Sequence, residues 1–370
     1  MLTGFLASLV ASFAVCWLVL YTRPAHQKLS IDDTLPGLQK VHKTPVPRIG
    51  GFGIAAGVLA GAIFIGDIEE TLWMLLFLIA ALPAFAGGFL EDLTRKVSPY
   101  SRLLFAFGAA AVAYLLLDGR ITDLDLPYDD YAFRYQLVAF GFTLFAVGGY
   151  AHATNIVDGM NGLMGLTATA VLAAIAAVAW QVQDDRILCA ALILMAAAIG
   201  FLVWNFPRGV LFAGDGGAYF LGFAIAELAV LLVHRNSEVS PWFALLVLWY
   251  PVWETLYSMY RRKRRGRSPA DPDGLHLHTL VYRRVVRTKN PVARSALTTL
   301  LLLSLALLTV VPAWLFHGET WILQLYAAGF SFVYLGLYWR IARFGAGRRV
   351  GRRPTVRRRP AVRRRPTVRA

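Results

Sequence analysis

Eleven apolar stretches, most of them about as long as a membrane-crossing helix, follow one another from end to end of this chain. A helix rises 1.5 Å per residue, so about 20 residues cross a hydrocarbon core of roughly 30 Å. Lipid offers the backbone no hydrogen-bond partners, so stretches of this length predict helices. The sequence therefore predicts an all-α integral membrane protein with about 11 transmembrane helices, over residues 2–21, 49–66, 71–90, 103–117, 135–152, 162–180, 187–204, 216–233, 241–260, 295–316 and 321–341.

The charges between these stretches predict the orientation of the chain. If the N-terminus lies outside, the outer connections hold four of the 37 Lys and Arg residues and 12 of the 22 Asp and Glu residues. The other basic residues then face the cytoplasm, as the positive-inside rule requires. We therefore expect the N-terminus outside and the C-terminus in the cytoplasm.

The two ends of the chain differ in character. The first stretch has no basic n-region and no A-x-A cleavage site, so we expect a retained helix. Residues 348–370 repeat an Arg-rich unit with a proline every six residues, which disfavours both a helix and a core. We predict one membrane domain over 1–341 and a disordered Arg/Pro-rich tail over 342–370 that lies near anionic membrane lipids. The tail lacks the aromatic side chains that stack on bases, so we expect no nucleic-acid partner.

Five connections on the predicted inner side carry the chemically capable residues. The first ends in HKTPVPRIGG, residues 42–51, where Lys43 and Arg48 can bind phosphate. The alternative is that both are ordinary positive-inside anchors. Two prolines keep this segment extended, and the paired glycines allow the next helix to begin close to a neighbour or a ligand.

An adjacent acid pair marks the second connection, GFLEDLTRKVSP, residues 88–99. Glu91 and Asp92 stand at the end of a membrane helix, where charge is costly and seldom incidental. Such neighbours raise one another's pKa and can supply a base or a metal ligand. The alternative is a local ion pair with Arg95 and Lys96.

Acid and amide side chains also mark the third connection, NIVDGMNGL, residues 155–163. Asp158 stands between two apolar helices with no basic residue beside it, which favours a functional role for it and for Asn155 and Asn161. Because Asn and Gly are also common in turns, a plain connector is the alternative.

Glycines flank Asp215 in the fourth connection, WNFPRGVLFAGDGGAYFLG, residues 204–222. They expose its carboxylate and the nearby amides, which suits Mg²⁺ bound to a phosphorylated ligand. The Gly-Lys-Ser/Thr ending of a Walker A loop is absent, which excludes a P-loop. Phe212 can stack on a flat base, or it can simply face lipid or the core.

The fifth connection, residues 261–294, is rich in basic residues and contains His276 and His278. On an extended strand, alternate side chains point the same way, so both imidazoles would share a face. Two histidines without a cysteine are weak evidence for zinc, and beside so many arginines they suit oxyanion binding better.

The five connections together place acids, amides, histidines and basic groups at one water–membrane boundary. This arrangement suits a reaction between a water-soluble phosphorylated donor and a lipid phosphate, with Mg²⁺ offsetting their repulsion.

In these segments the chain resembles the polyprenyl-phosphate N-acetylhexosamine-1-phosphate transferases, which include the WecA and MraY types. The resemblance covers about residues 23–294, and the eleven-span layout extends it to about 341. It implies transfer of a sugar 1-phosphate from a UDP-N-acetylsugar to polyprenyl phosphate, with release of UMP, to initiate a cell-surface glycan. It also implies Mg²⁺, with Mn²⁺ as the alternative cofactor, and a bacterial inner membrane with the site facing the cytoplasm. A homodimer is one of the open oligomeric states.

The resemblance also implies roles for single residues. Asp215 matches the magnesium-binding aspartate, and Asp92 with Glu91 matches an acid pair assigned to metal binding or to deprotonation of the lipid phosphate. Asp158 matches an acid near donor and metal. The substrate-binding positions implied or indicated by these loops are Lys43, Arg48, Asn155, Asn161, Asn205, Phe212, His276 and His278, of which Asn205 and Phe212 would hold the uracil.

The chain departs from the family pattern at three positions. Glu91 replaces the first Asp of the usual pair, so Asp92 is the more secure member. Asn161 replaces a second Asp, and Thr279 interrupts the histidine run, which argues against the peptidoglycan-precursor substrate of the MraY type. Two rival functions stay open from the residues alone: a transporter or lipid flippase with Glu227 and Glu254 as coupling acids, and a structural scaffold.

Overall fold

The computed structural model describes residues 1–30, 46–126, 130–268 and 273–344, and these ranges are helical without a β-strand. This confirms the predicted all-α class. A π-helical turn, Val281–Val285, follows the short helix Leu277–Leu280. The helices are α1 (Leu2–Tyr21), α2 (Arg23–Ser30), α3 (Gly51–Ile63), α4 (Ile68–Thr94), α5 (Pro99–Leu116), α6 (Asp130–Phe133), α7 (Gln136–Val157), α8 (Leu163–Gln181), α9 (Asp185–Asn205), α10 (Gly214–Arg235), α11 (Pro241–Val247), α12 (Trp249–Arg264), α13 (Leu277–Leu280), α14 (Pro291–Leu315) and α15 (Thr320–Phe344).

Every predicted stretch coincides with helix, but two of the eleven differ from a full span. Within the described ranges, nine helices are long and apolar enough to cross a membrane: α1, α4, α5, α7, α8, α9, α10, α14 and α15. The stretch 49–66 forms only the 13 residues of α3. The stretch 241–260 is broken at Leu248 into α11 and α12. Pro251 explains the break, because it has no N–H to bond the carbonyl oxygen of Val247, where α11 ends.

Helix α10 lies at the centre of the bundle. Its residues from Gly214 to Leu232 are all buried, and it contacts α3, α4, α5, α7, α8, α9 and α11. A helix that is apolar on every side belongs in such a position. Glycines bring its first turn close to two neighbours: a Cβ on Gly51 would overlap the backbone of Gly217, and a Cβ on Gly88 would overlap that of Asp215. The ends of α3, α4 and α10 therefore meet at backbone distance.

The tail and the first connection fall largely outside the described residues. Of the predicted tail, 342–370, only the first three residues are described, and they continue α15 to Phe344. Helix α15 thus runs slightly past the predicted domain boundary at 341. Lys43 also lies outside the described residues. The orientation across the membrane stays a prediction from charge.

Candidate functional site

Asp92 and the first turn of α10 form the centre of the site. The Asp92 Oδ1 accepts a hydrogen bond from the Asp215 N–H at 2.9 Å, and its Oδ2 accepts one from the Gly216 N–H at 2.8 Å. The first N–H groups of a helix have no partner within the helix and carry partial positive charge. Gly214, at φ +73°, lies tight against the Asp92 carboxylate and leaves no room for a side chain. Asp92 therefore fixes the backbone that carries Asp215.

Two arginines face the Asp215 carboxylate. The Arg48 Nη2 lies 3.1 Å from its Oδ1 and 3.9 Å from the Asp92 Oδ1. Arg102, in the first turn of α5, contacts the other oxygen, Oδ2. Asp215 is buried, whereas the Arg48 side chain is 37% exposed, so this guanidinium reaches from the carboxylates toward water. Arginine pairs of this kind also suit a phosphate group.

The segment that carries Arg48 is held by the loop before α10. The Phe212 N–H donates to the Pro47 carbonyl oxygen at 2.9 Å, and the Gly50 N–H donates to the Phe212 carbonyl oxygen at 2.8 Å. These two bonds align the first and fourth predicted connections. The Phe212 side chain is half-buried beside them. The prediction that the two connections share a site is supported by this pairing.

Asp158 belongs to the same charged neighbourhood. It follows directly on α7, and burial raises the pKa of its carboxyl to about 6, against the opposing charge of Arg48. Arg48 also acts electrostatically on Asp92. The three aspartates predicted from sequence are therefore linked through one guanidinium group, Asp92 and Asp215 by direct contact and Asp158 by charge.

The carboxylates do not form a closed metal cage. In the part of the chain that the structure describes, no group of three His, Cys, Asp or Glu side chains is placed to hold a metal ion. Mg²⁺, however, is usually bound through one or two carboxylates together with substrate phosphates. Asp215 offers oxygen donors of this kind, and Mg²⁺ would share them with the Arg48 and Arg102 guanidinium groups that contact them, so the predicted metal role of Asp215 stays a prediction. Asp92 has both oxygens occupied by helix N–H groups, so its predicted metal role stays a prediction.

The asparagines are used mainly to hold loops together. The Asn205 Oδ1 accepts from the Gly162 N–H at 2.6 Å, and its Nδ2 donates to the Leu211 carbonyl oxygen at 2.8 Å. The Asn161 Nδ2 donates to the Pro207 carbonyl oxygen at 3.0 Å. Both residues are buried. Asn205 keeps one N–H and one lone pair beyond these bonds, and both amides tie the third connection to the fourth.

Two further predicted residues lie at helix ends near this site. Asn155 is half-buried in the last turn of α7, three residues before Asp158. Glu91 is also half-buried, and its Oε2 accepts from the Val97 N–H at 2.8 Å, which closes the turn after α4. This contact gives Glu91 a local structural task.

The two histidines are helical rather than extended. His276 precedes α13 as its N-cap, and His278 lies within it, yet their rings stack at 5.3 Å with an angle of 5° between them. The expected shared face is thus present, although the strand is not. The His278 ring lies against Gly159, beside Asp158, where a Cβ would overlap it. Burial, together with the neighbouring His276, lowers the pKa of His278 to about 4, so the ring is neutral at pH 7. Its Nδ1 is buried without a hydrogen-bond partner among the described residues.

A cavity of about 860 Å³ runs between α5, α7, α10, α11 and α12, and most of its lining is apolar. Phe107, Phe142 and Trp249 are among its walls, whereas His152 and Arg262 line it at the end nearer the carboxylates. The sequence did not predict His152, Arg262 or Arg102 as site residues. The His152 Nδ1 lies 2.5 Å from the Tyr219 hydroxyl, and the Arg102 guanidinium lies 5.9 Å from the centre of the Tyr219 ring. Tyr219 therefore connects the cavity to Arg102 and so to Asp215.

Comparison with known proteins gives one family and a consistent set of relatives. The model of glycosyl transferase family 4 matches residues 74–233, which include Asp92, Asp158 and Asp215. A probable undecaprenyl-phosphate N-acetylglucosaminyl 1-phosphate transferase of Bacillus subtilis is 29% identical over 66% of this chain and 67% of its own length. The undecaprenyl-phosphate alpha-N-acetylglucosaminyl 1-phosphate transferase of Yersinia pestis is 27% identical over 84% of this chain and 85% of its own. The Escherichia coli K12 protein of the same name is 27% identical over 90% of each chain.

Proposed function

The chain belongs to glycosyl transferase family 4, and on that premise we propose that it transfers an N-acetylhexosamine 1-phosphate from a UDP-sugar to undecaprenyl phosphate, releasing UMP. The observation that carries this proposal is the cluster at the start of α10. There, Asp92 holds the backbone of Asp215, and Arg48 and Arg102 face its carboxylate. The relatives act on undecaprenyl phosphate by name, and the sugar that they transfer is N-acetylglucosamine. We take UDP-N-acetylglucosamine as the first donor to test.

The proposed reaction exchanges one phosphorus–oxygen bond for another. An oxygen of the lipid phosphate attacks the β-phosphorus of the donor, and the bond from that phosphorus to the bridging oxygen breaks. UMP leaves with the electron pair, and a lipid diphosphate sugar remains. Because the bonds made and broken are alike, the protein must supply placement and charge compensation more than driving force.

The charged residues have two proposed roles, charge compensation and proton acceptance. Arg48, which reaches toward water, and Arg102 would offset the charge of the donor diphosphate. Asp158 is the better base for a proton on the acceptor phosphate, because its pKa of about 6 leaves it mostly ionised at pH 7. Asp92 is less suited to that task, since both of its oxygens already accept backbone hydrogen bonds.

We further propose Mg²⁺ as the cofactor, with Mn²⁺ as the alternative, held by Asp215. When bound, the ion would offset negative charge on the donor diphosphate and on the departing UMP. A site built from one or two carboxylates and the phosphates of the substrate is the usual arrangement for Mg²⁺.

The cavity suits the acceptor. Its mostly apolar lining suits an isoprenoid chain, and Arg262 and His152 lie at the end where a phosphate would enter. An acceptor bound in this way would carry its phosphate toward Tyr219 and Arg102. The charge bias of the connections supports a site that faces the cytoplasm of a bacterial inner membrane.

The rival transporter function is not favoured. Of its two coupling acids, Glu254 is bound by three donors from α15 and from the residues that begin α13. Glu227 is fully buried within α10 and has no hydrogen-bond partner in the described ranges. Family membership and the relatives support the transferase.

A panel of UDP-N-acetylsugars tests the proposal. The purified protein, with polyprenyl phosphate and Mg²⁺, should release UMP from at least one of them. Asp215→Ala should abolish release, whereas Asp185→Ala should not, because Asp185 also lies in the first turn of a helix, α9, but is exposed. Absence of UMP with every donor, from folded protein, would overturn the proposal. Retained turnover in Asp215→Ala would show that the metal ligand is misassigned.

A further inference from the structure

Glu254 is a fully buried carboxylate with three hydrogen-bond donors. It lies in α12, and its Oε1 accepts from the His276 Nδ1 at 3.0 Å and from the Leu277 N–H at 3.1 Å. Its Oε2 accepts from the Tyr334 hydroxyl at 2.6 Å. A buried charge is tolerated only when its oxygens are bonded in this way. Glu254 therefore joins α12 and α15 to the residues that begin α13.

This carboxylate fixes the protonation and direction of His276. An ionised carboxylate only accepts, so the His276 Nδ1 must carry the proton and its Nε2 must face away from Glu254. The His276 ring stacks on that of His278, which in turn lies against Gly159, next to Asp158. A chain of contacts thus runs from Tyr334 to the loop of Asp158.

We propose that Glu254 and Tyr334 are positioning residues for the transferase reaction. They hold the paired imidazoles in one orientation against the loop that carries Asp158, the proposed base. This inference rests on the proposed function. Outer partners that orient a metal-ligating histidine typically contribute about 10- to 100-fold to metal affinity or activity, and we take the lower end of that range for His276. Tyr334 lies on α15, beyond the residues 74–233 that match the family model.

Tyr334→Phe removes only the hydroxyl that binds Glu254 and keeps the ring that packs against Tyr257 and Tyr338. We expect a fall of about 10-fold in kcat/KM for the UDP-sugar, in protein that stays folded at the assay temperature. The midpoint of thermal unfolding should fall as well, because the buried Glu254 carboxylate loses one of its three donors. Tyr326→Phe is the matched control on the same helix, because Tyr326 is exposed and stacks on Phe316 instead. The control should match the unsubstituted protein.

A double-mutant cycle with His276→Ala separates positioning from a general structural effect. If Tyr334 acts through His276, Tyr334→Phe should lower kcat/KM in the unsubstituted background and have no further effect in His276→Ala. Should Tyr334→Phe be unfolded at the assay temperature, Glu254→Gln replaces it in the cycle, because glutamine keeps the volume and one acceptor oxygen.

Two results would overturn the inference while leaving the proposed function intact. One is a Tyr334→Phe protein as active as the Tyr326→Phe control. The other is an equal loss in both backgrounds of the cycle. A protein that releases no UMP from any donor would instead remove the proposed function, and with it this inference.

Discussion

Replacing Asp92 by Asn should cost stability as well as activity, because Asp92 caps α10 in addition to lying in the site. The carboxylate accepts from the Asp215 and Gly216 N–H groups at 2.9 and 2.8 Å. Asparagine keeps one acceptor oxygen but turns an NH₂ group toward the second N–H. A buried N–H left without an acceptor costs about 1–3 kcal/mol. We expect the free energy of unfolding to fall by about 2 kcal/mol, the middle of that range.

The matched comparison is Asp158→Asn. Burial already disfavours the ionised form of this carboxyl, as its raised pKa of about 6 shows. An uncharged amide should therefore leave the free energy of unfolding within about 0.5 kcal/mol of the unsubstituted value, as for a substitution that breaks no structural contact. Both variants should lose UMP release. Denaturant titration of the two variants in detergent measures the difference in their free energies of unfolding. Equal stability of the two variants would refute the capping role of Asp92.

Three more predictions follow from the same contacts and from the sequence. UMP release should decline as pH falls through about 6, because protonation of Asp158 removes the proposed base; a decline only near pH 4, the ordinary carboxyl range, would contradict this assignment. At the N-terminus of α9, burial alone would raise the pKa of Asp184. Hydrogen bonds from Arg235 and Asn236 outweigh burial and lower that pKa. Asp184 should thus stabilise the fold above the ordinary carboxyl pKa and lose this effect as pH falls below it, and Asp184→Asn should lower the unfolding free energy at pH 7 by about 2 kcal/mol. Deletion of 348–370 should leave most of the activity, which UMP release by the truncated chain measures.

The fold followed from the sequence because hydropathy alone fixes where helices must lie in a membrane protein. All eleven apolar stretches are helical, and the predicted closeness of Asp92 and Asp215 is present. The break at Leu248 could also have been predicted, since Pro251 removes the bond that would continue α11. The short length of α3 could not, because its start depends on backbone bonds to the distant Phe212.

The partners of the polar side chains were harder to predict. Asn205 is of a residue type that often binds substrates, yet its side-chain amide bonds backbone groups that only the folded loops bring together. Tyr334 carries no local signal, because it meets Glu254 across a long stretch of chain. Arg102 also meets its carboxylate across a long stretch of chain, and its place in the first turn of an apolar helix is the one local feature that could have singled it out.

The most direct test of the central claim is the fate of the donor's β-phosphate. Purified protein is supplied with polyprenyl phosphate, Mg²⁺ and UDP-N-acetylglucosamine that carries ³²P at the β-position, and the lipid and water phases are separated. We predict that the label enters the lipid in step with the release of unlabelled UMP. Label that stays in the water phase as UDP while sugar reaches the lipid would contradict sugar 1-phosphate transfer.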